Sequence, residues 1–196
     1  MSTMITLKQI QQALDAADEI TPRTAKLRPS AVLVPLIQKA DGLHILFTQR
    51  SEHLRHHAGQ ISFPGGSMDD TDDDLVHTAL RETEEEVGIP QGDIEVLGKL
   101  PLQPTGSGFL IQPVVGILPD NVELILCQDE VSSAFEAPLD FMFNPENQIH
   151  SYREYGGKNY SIYSIPYDGW NIWGATANII VKFSQLINHS VYIDKL

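Results

Sequence analysis

The chain has 196 residues, 42% of them hydrophobic and 20% charged, with a formal net charge of −13. Those values fit one globular domain with a sizeable core, and the negative charge argues against nucleic acid or an anionic membrane as a primary partner. No apolar run reaches the ~20 residues of a membrane-spanning helix. Met1–Ala17 lacks the charged start and apolar core of a signal peptide. The single Cys127 leaves no internal disulfide, so a reduced, cytoplasmic setting with Cys127 as core filler is expected.

In chain order, residues 6–18 fit an amphipathic helix with Leu7, Ile10 and Leu14 on one side. Thr21–Ser30 reads as a polar linker. Ala31–Ile37 is an apolar strand, Ala40-Asp41-Gly42 a hairpin turn and Leu43–Thr48 the returning strand. Residues 72–87 form a helix that Pro90-Gln91-Gly92 breaks. Strands are expected at Ile94–Leu102, Leu110–Leu118 and Val122–Cys127, and further strands within Ile149–Ile165. A short helix is expected near Phe135–Phe141, and Asn171–Asn188 reads as the closing helix. Thr105–Gly108 is a flexible loop suited to a substrate. Mixed strands with a central and a terminal helix indicate an α/β layered domain.

The central helix carries the most informative run, Arg81-Glu82-Thr83-Glu84-Glu85-Glu86-Val87-Gly88-Ile89. Residues three and four apart share a helix face, so Glu82, Glu85 and Glu86 converge. Like charges so arranged destabilise an isolated helix, unless a divalent cation reverses the sign. Oxygen ligands suit Mg²⁺, which is held by a few carboxylates plus substrate phosphates. The alternative is a solvated acidic face. Three features favour a site: Gly65-Gly66 before the helix permits close backbone approach, Gly88 suits the helix C-terminus, and Val76, Ala79, Leu80, Thr83 and Val87 form a stripe about a quarter turn from the glutamates. An EF-hand reading of Asp70, Asp72 and Asp74 fails, because its turn glycine and bidentate glutamate would fall on Leu75 and Arg81. Residues 50–57 form a cationic island with Arg50, His53, Arg55, His56 and His57, suited to an anionic substrate. The histidines lack the accompanying ligands of a metal site.

These residues resemble the Nudix hydrolase family, whose box is Gly-x5-Glu-x7-Arg-Glu-U-x-Glu-Glu-x-Gly-U, with U bulky and apolar. Arg81–Ile89 matches its second half, with Thr83 in place of U. In the first half Asp72 stands where the box has glutamate, and eight residues rather than seven separate it from Arg81. The segment Leu46–Gly66 is similar to the signature of the coenzyme A diphosphatase branch, Leu-Leu-Thr-x-Arg-(Ser/Ala)-x3-Arg-x3-Gly-x3-Phe-Pro-Gly-Gly. Only Phe47 departs from it, and that branch tolerates the longer spacing inside the box. Gln112–Gly116 and Ile172–Ala177 resemble the same branch, so the likeness spans about residues 28 to 185.

The resemblance implies an α/β/α sandwich with a mixed β-sheet over residues 29–188. An N-terminal helix and linker over 1–28 and a tail over 189–196 would flank it. It implies Glu82, Glu85 and Glu86 as ligands of Mg²⁺ or Mn²⁺, with Arg81 an organiser paired to an acid such as Glu85. It puts Arg50, Arg55, Gly59, Phe63, Gly65 and Gly66 with the substrate. The implied reaction is hydrolysis of coenzyme A at its diphosphate into 3′,5′-ADP and 4′-phosphopantetheine, and the 3′-phosphate gives a reason for Arg50 or Arg55. The general base is open between Glu130, from a late loop, and Glu85 or Glu86. Two other readings stay open: hydrolysis of ADP-ribose, NADH or another nucleoside diphosphate derivative, and a non-catalytic nucleotide-sensing module. The expected partner is a small nucleotide substrate, for a monomer or homodimer.

Overall fold

The computed structural model describes residues 4–16, 27–54, 56–155 and 158–193. Helix α1 (Leu7–Asp15) opens on Thr6, whose hydroxyl accepts the Gln9 amide while the Gln9 side chain accepts the Thr6 amide. Ile10, Ala13 and Leu14 are its buried residues. Most of the linker expected at 21–30 lies outside the described residues.

Strand β1 (Arg28–Lys39) runs longer at both ends than the apolar core of its sequence suggests. It turns through Ala40-Asp41 into the antiparallel β2 (Gly42–Arg50). Two short strands follow, β3 (Ile61–Ser62) on β2 and β4 (Gly65–Ser67) on β1. Helix α2 (Leu75–Val87) carries the glutamates. Next come β5 (Glu95–Lys99), β6 (Gln103–Pro104) and β7 (Phe109–Ile117). Strand β7 lies parallel to β1 and antiparallel to β5, which makes the sheet mixed.

The remaining elements correct four expectations. Val122–Cys127 is not a strand: the amides of Ile125 and Cys127 donate to the carbonyls of Val87 and Glu86, 2.9 and 3.0 Å away, at the C-terminal end of α2. Its apolar alternation reflects Val122, Leu124 and Leu126 packing on the α2 side of the core, with a helix end as the partner. Residues 135–138 belong to β8 (Val131–Pro138), paired with β2, and helix α3 (Leu139–Phe143) begins only after Pro138. Ile94–Leu102 is divided, because only residues 95–99 pair with β7, across an irregularity between Val96 and Gly98, before Gln103–Pro104 pairs again. After β9 (Ile149–Tyr155) and β10 (Lys158–Tyr167), Trp170–Trp173 forms β11 on β10, and the closing helix α4 runs from Gly174 to Ile193.

Alternation along β1 and β2 sorts the core into two layers. Val34, Leu36, Ile45 and Phe47 face α1, α3 and α4. Ala31, Leu33, Ile37 and Leu46 face α2. The architecture is therefore α/β/α, with the glutamate helix on one side of the sheet and the terminal helices on the other. Among the described residues no helix is long and apolar enough to cross a membrane.

Candidate active site

Helix α2 begins where Asp74, in an extended conformation, accepts the His77 amide at 2.8 Å. It ends at Gly88, whose φ of 75° lets the chain leave in the left-handed conformation. Ala79 and Val87 are buried against the sheet, and so is Thr83, which stands where the family has an apolar residue. Its hydroxyl donates to the Ala79 carbonyl one turn back, at 2.7 Å. A satisfied hydroxyl is tolerated in a buried position.

The glutamates are not equivalent. Glu86 is 2% exposed. The Glu82 side chain is 15% exposed and that of Glu85 is 56% exposed. Glu82 and Glu86, one turn apart, thus form the inner pair, and Glu85 stands at the rim. Burial pushes the Glu86 carboxyl up to about 8; Arg50 opposes this, Glu130 and Glu82 add to it, and the Gly65 amide donates to it. Burial also raises Glu82, against Arg81 and with help from Glu85 and Glu130. Glu82 keeps a close countercharge, with Arg81 Nη1 at 3.0 Å, whereas the nearest cation to Glu86 given by the ion pairs is Arg50 at 3.8 Å.

Arg81 organises the N-terminal side. Its Nε and Nη2 reach the two oxygens of Asp72 at 2.8 and 2.9 Å, and Nη2 also donates to the Ser67 carbonyl at 3.2 Å. Its Nη1 lies 3.0 Å from Glu82 and 3.1 Å from Glu85. The i+4 pairing with Glu85 is present, yet the dominant partner is Asp72. Asp72 also accepts the Thr78 hydroxyl and the Asp69 amide, each at 2.9 Å. The Arg81 hydrogen bonds hold its carboxyl well below the usual carboxylate range. Sequence reasoning left Asp72 without a role. The signal was its place after five intervening residues from Gly66, the box's acidic position.

The segment before the box converges on the same place. Arg50 ends β2 at a register shift against β8, and its Nη1 lies 3.8 Å from the Glu86 carboxylate. Gly65 and Gly66 pair with Val32 and Ala31 in β1. A Cβ at Gly66 would stand 2.5 Å from the Glu82 carboxylate, and one at Gly65 would stand 2.3 Å from the Ala31 carbonyl oxygen. Gly66 therefore makes the space that Glu82 fills, and Gly65 permits the strand contact. Gly59 adopts a φ of 68° and its amide donates to the Arg50 carbonyl at 3.1 Å. Phe63 is a core residue, 2% exposed and stacked on Phe47 at 5.2 Å. That burial leaves it no face for a substrate; it anchors the loop instead. Arg55 lies outside the described residues.

Glu130 comes from the loop ahead of β8. Its carbonyl accepts the Ser51 amide at 2.8 Å, and its amide donates to the Cys127 carbonyl at 2.9 Å. Its carboxylate is exposed, and its charge adds to the raised proton affinity of both Glu82 and Glu86.

Among the described residues, no three His, Cys, Asp or Glu side chains are already drawn together as a metal cage. The donor set fits a looser arrangement. Glu82 and Glu86 are hard oxygen donors, Glu86 being buried with Arg50 as far as 3.8 Å away, and Mg²⁺ takes one or two carboxylates while keeping waters or phosphate oxygens in its other positions.

Comparison with known proteins places the chain in a family. The NUDIX domain model matches residues 26–155. A Yersinia enterocolitica protein named "Uncharacterized Nudix hydrolase NudL" is 41% identical over 165 residues, which is 84% of each chain. A Salmonella heidelberg protein of the same name is 42% identical over 171 residues, covering 86% of this chain and 88% of that one. In fold, the chain is similar to a Caenorhabditis elegans Ap4A hydrolase in a binary complex, with a TM-score of 0.53 at 15% identity, covering 85% of this chain and 99% of that one.

The protein belongs to the Nudix hydrolase family. It is an enzyme that hydrolyses the diphosphate bond of nucleoside diphosphate derivatives, in a family that generally works with divalent ions such as Mg²⁺ or Mn²⁺.

Proposed function

We propose that the substrate is coenzyme A or an acyl-coenzyme A, cut into 3′,5′-ADP and the corresponding 4′-phosphopantetheine. The observation that carries this reading is the convergence of two sequence signatures on one place. Residues 46–66, which resemble the coenzyme A diphosphatase signature, bring Arg50 against Glu86 and Gly66 against Glu82.

Glu82 and Glu86 would hold the divalent ion, with Glu85 at the rim supplying a further oxygen. The ion, when bound, polarises the phosphorus centre, acidifies water and stabilises the leaving oxygen. The protein's own groups do the rest. Arg81, saturated by Asp72, Glu82, Glu85 and Ser67, fixes the angle of the glutamate face. Glu130 is the candidate to accept the proton of the attacking water, whose oxygen bonds to phosphorus as the bridging P–O bond breaks. Its alternatives are Glu85 and Glu86.

The test is incubation with coenzyme A and Mg²⁺, chromatographic separation of products, and Glu86→Gln as control. Release of 3′,5′-ADP by wild type and not by the variant supports both substrate and site. If coenzyme A survives while ADP-ribose or NADH is cleaved, the substrate assignment falls and the site stands. If no diphosphate in the panel is cleaved, a nucleotide-sensing role replaces catalysis for this chain.

A further inference from the structure

Among the described residues two arginines border the glutamates, and they are bonded very differently. Arg81 donates from Nε, Nη1 and Nη2 to three carboxylates and a carbonyl at 2.8 to 3.2 Å. That is the bidentate, fully committed geometry of a structural guanidinium. Arg50 touches Glu86 through one atom at 3.8 Å, the outer edge of an ion pair. Its Nε is buried and, among the described residues, has no hydrogen-bond partner. A buried donor left unmatched is destabilising unless another state of the protein satisfies it. The backbone on either side is fixed: the Arg50 amide donates to the Gln60 carbonyl at 3.0 Å, and the Arg50 carbonyl accepts the Gly59 amide. Only the side chain is free to change partners.

We propose that Arg50 is a two-position cation. In the metal-free enzyme it shields Glu86, and in the working enzyme it leaves Glu86 and donates to the nonbridging oxygens of the substrate diphosphate. This rests on the assignment of Glu82 and Glu86 as the metal-binding pair. A guanidinium at this distance from the inner glutamates reaches the group being cleaved, so Arg50 acts on every nucleoside diphosphate substrate alike. Recognition of a 3′-phosphate then falls to other residues.

Calorimetric titration of Mn²⁺ into wild type, Arg50→Met, Arg50→Lys and Glu86→Gln tests the first position. All four are first checked for cooperative thermal unfolding. Removing a unit charge about 4 Å from Glu86 should tighten Mn²⁺ binding about tenfold in Arg50→Met, while Arg50→Lys stays near wild type. Parallel kinetics test the second position: kcat/KM should fall by similar factors on coenzyme A and on ADP-ribose in Arg50→Met. Unchanged or weaker Mn²⁺ binding in Arg50→Met overturns the shielding role. A loss confined to coenzyme A overturns the diphosphate contact and returns Arg50 to the 3′-phosphate. If Glu86→Gln binds Mn²⁺ as wild type does, the metal assignment itself fails and the proposal falls with it. A failure of Arg50→Met alone leaves that assignment standing.

Discussion

Arg81 grips Asp72 through two parallel hydrogen bonds of 2.8 and 2.9 Å, and that pair ties the loop before α2 to the helix that carries the glutamates. Asp72 is buried, and it receives two further hydrogen bonds from the Asp69 amide and the Thr78 hydroxyl. One carboxylate therefore sets the start of the helix, the fold of the preceding loop and the orientation of the guanidinium that holds Glu82 and Glu85.

Asp72→Asn should cost about 3 kcal/mol of stability, the scale for removing one partner of a buried ion pair. Thermal or urea unfolding at pH 7 measures it. The folded carboxyl titrates far below its ordinary value of 3.8. Its stabilisation is therefore present above that value and is lost as pH falls below it. The gap between wild type and variant should narrow in acid. A gap that stays constant down to the acid unfolding limit would mean that the Asp72 charge contributes little.

Adjacent glycines should respond oppositely to alanine. At Gly66 the added methyl meets the Glu82 carboxylate, the far end of a flexible side chain that can move aside. Gly66→Ala should then unfold within about 1 kcal/mol of wild type while losing catalytic rate, because the displaced carboxylate belongs to the proposed metal-binding pair. At Gly65 the methyl meets the backbone of Ala31 and Val32 at 2.3 to 2.6 Å, which cannot yield without breaking the β1–β4 pairing. Gly65→Ala should be destabilised by about 2–4 kcal/mol. Equal stability losses in the two variants would contradict this division of roles.

The legible parts of the chain are those where one physical signal acts alone. Leu7, Ile10 and Leu14 mark α1 because only a helix gives that spacing one buried face. Ala40-Asp41-Gly42 marks the β1–β2 hairpin because the turn chemistry is local. Glu82, Glu85 and Glu86 were legible as one converging set, but the burial that separates Glu82 and Glu86 from Glu85 depends on the sheet beneath. Val122–Cys127 alternates like a strand, yet its backbone partners are the last carbonyls of α2, and no local pattern specifies a partner so remote. Residues 171–173, read as the start of the closing helix, belong to a strand through pairing with β10. The Asp168-Gly169 turn, with both φ values positive, was the available hairpin signal. Asp72 was hidden by the extra residue that separates it from Arg81, which the loop absorbs before Asp74 caps the helix.

Glu86 predicts how the metal-free enzyme responds to base. Its folded value, raised to about 8 from an ordinary 4.5, means that the neutral acid suits the buried site and the carboxylate does not. The group is neutral in both folded and unfolded chains below 4.5, and stability declines as pH rises from there through about 8. The decline is at most on the order of 1.4 kcal/mol for each pH step of one across that window. Unfolding measured with chelator between pH 5 and 9 should show this slope, and Glu86→Gln should flatten it. Mg²⁺ should remove the slope in wild type, since binding displaces the proton, and its affinity should rise with pH over the same range. A chelated wild type as stable at pH 9 as at pH 5 would refute the burial argument.

Glu130 separates the two candidate sources of the general base. Its backbone is fixed by Ser51 and Cys127, whereas its carboxylate is exposed and pairs with no arginine among the hydrogen bonds and ion pairs of the described residues. Glu130→Gln should therefore fold normally. If Glu130 takes the proton from the attacking water, kcat should fall by about 10²–10⁴-fold, the usual contribution of a positioned base. Mn²⁺ affinity should change little by comparison, because the glutamine retains an oxygen donor and Glu82 and Glu86 are intact. Removing its charge also relieves part of the repulsion on Glu82 and Glu86, so metal binding should set in at slightly lower pH. A kcat within about tenfold of wild type would transfer the base to Glu85 or Glu86. Glu85→Gln, which changes a rim residue and leaves the buried pair untouched, would then be the decisive variant.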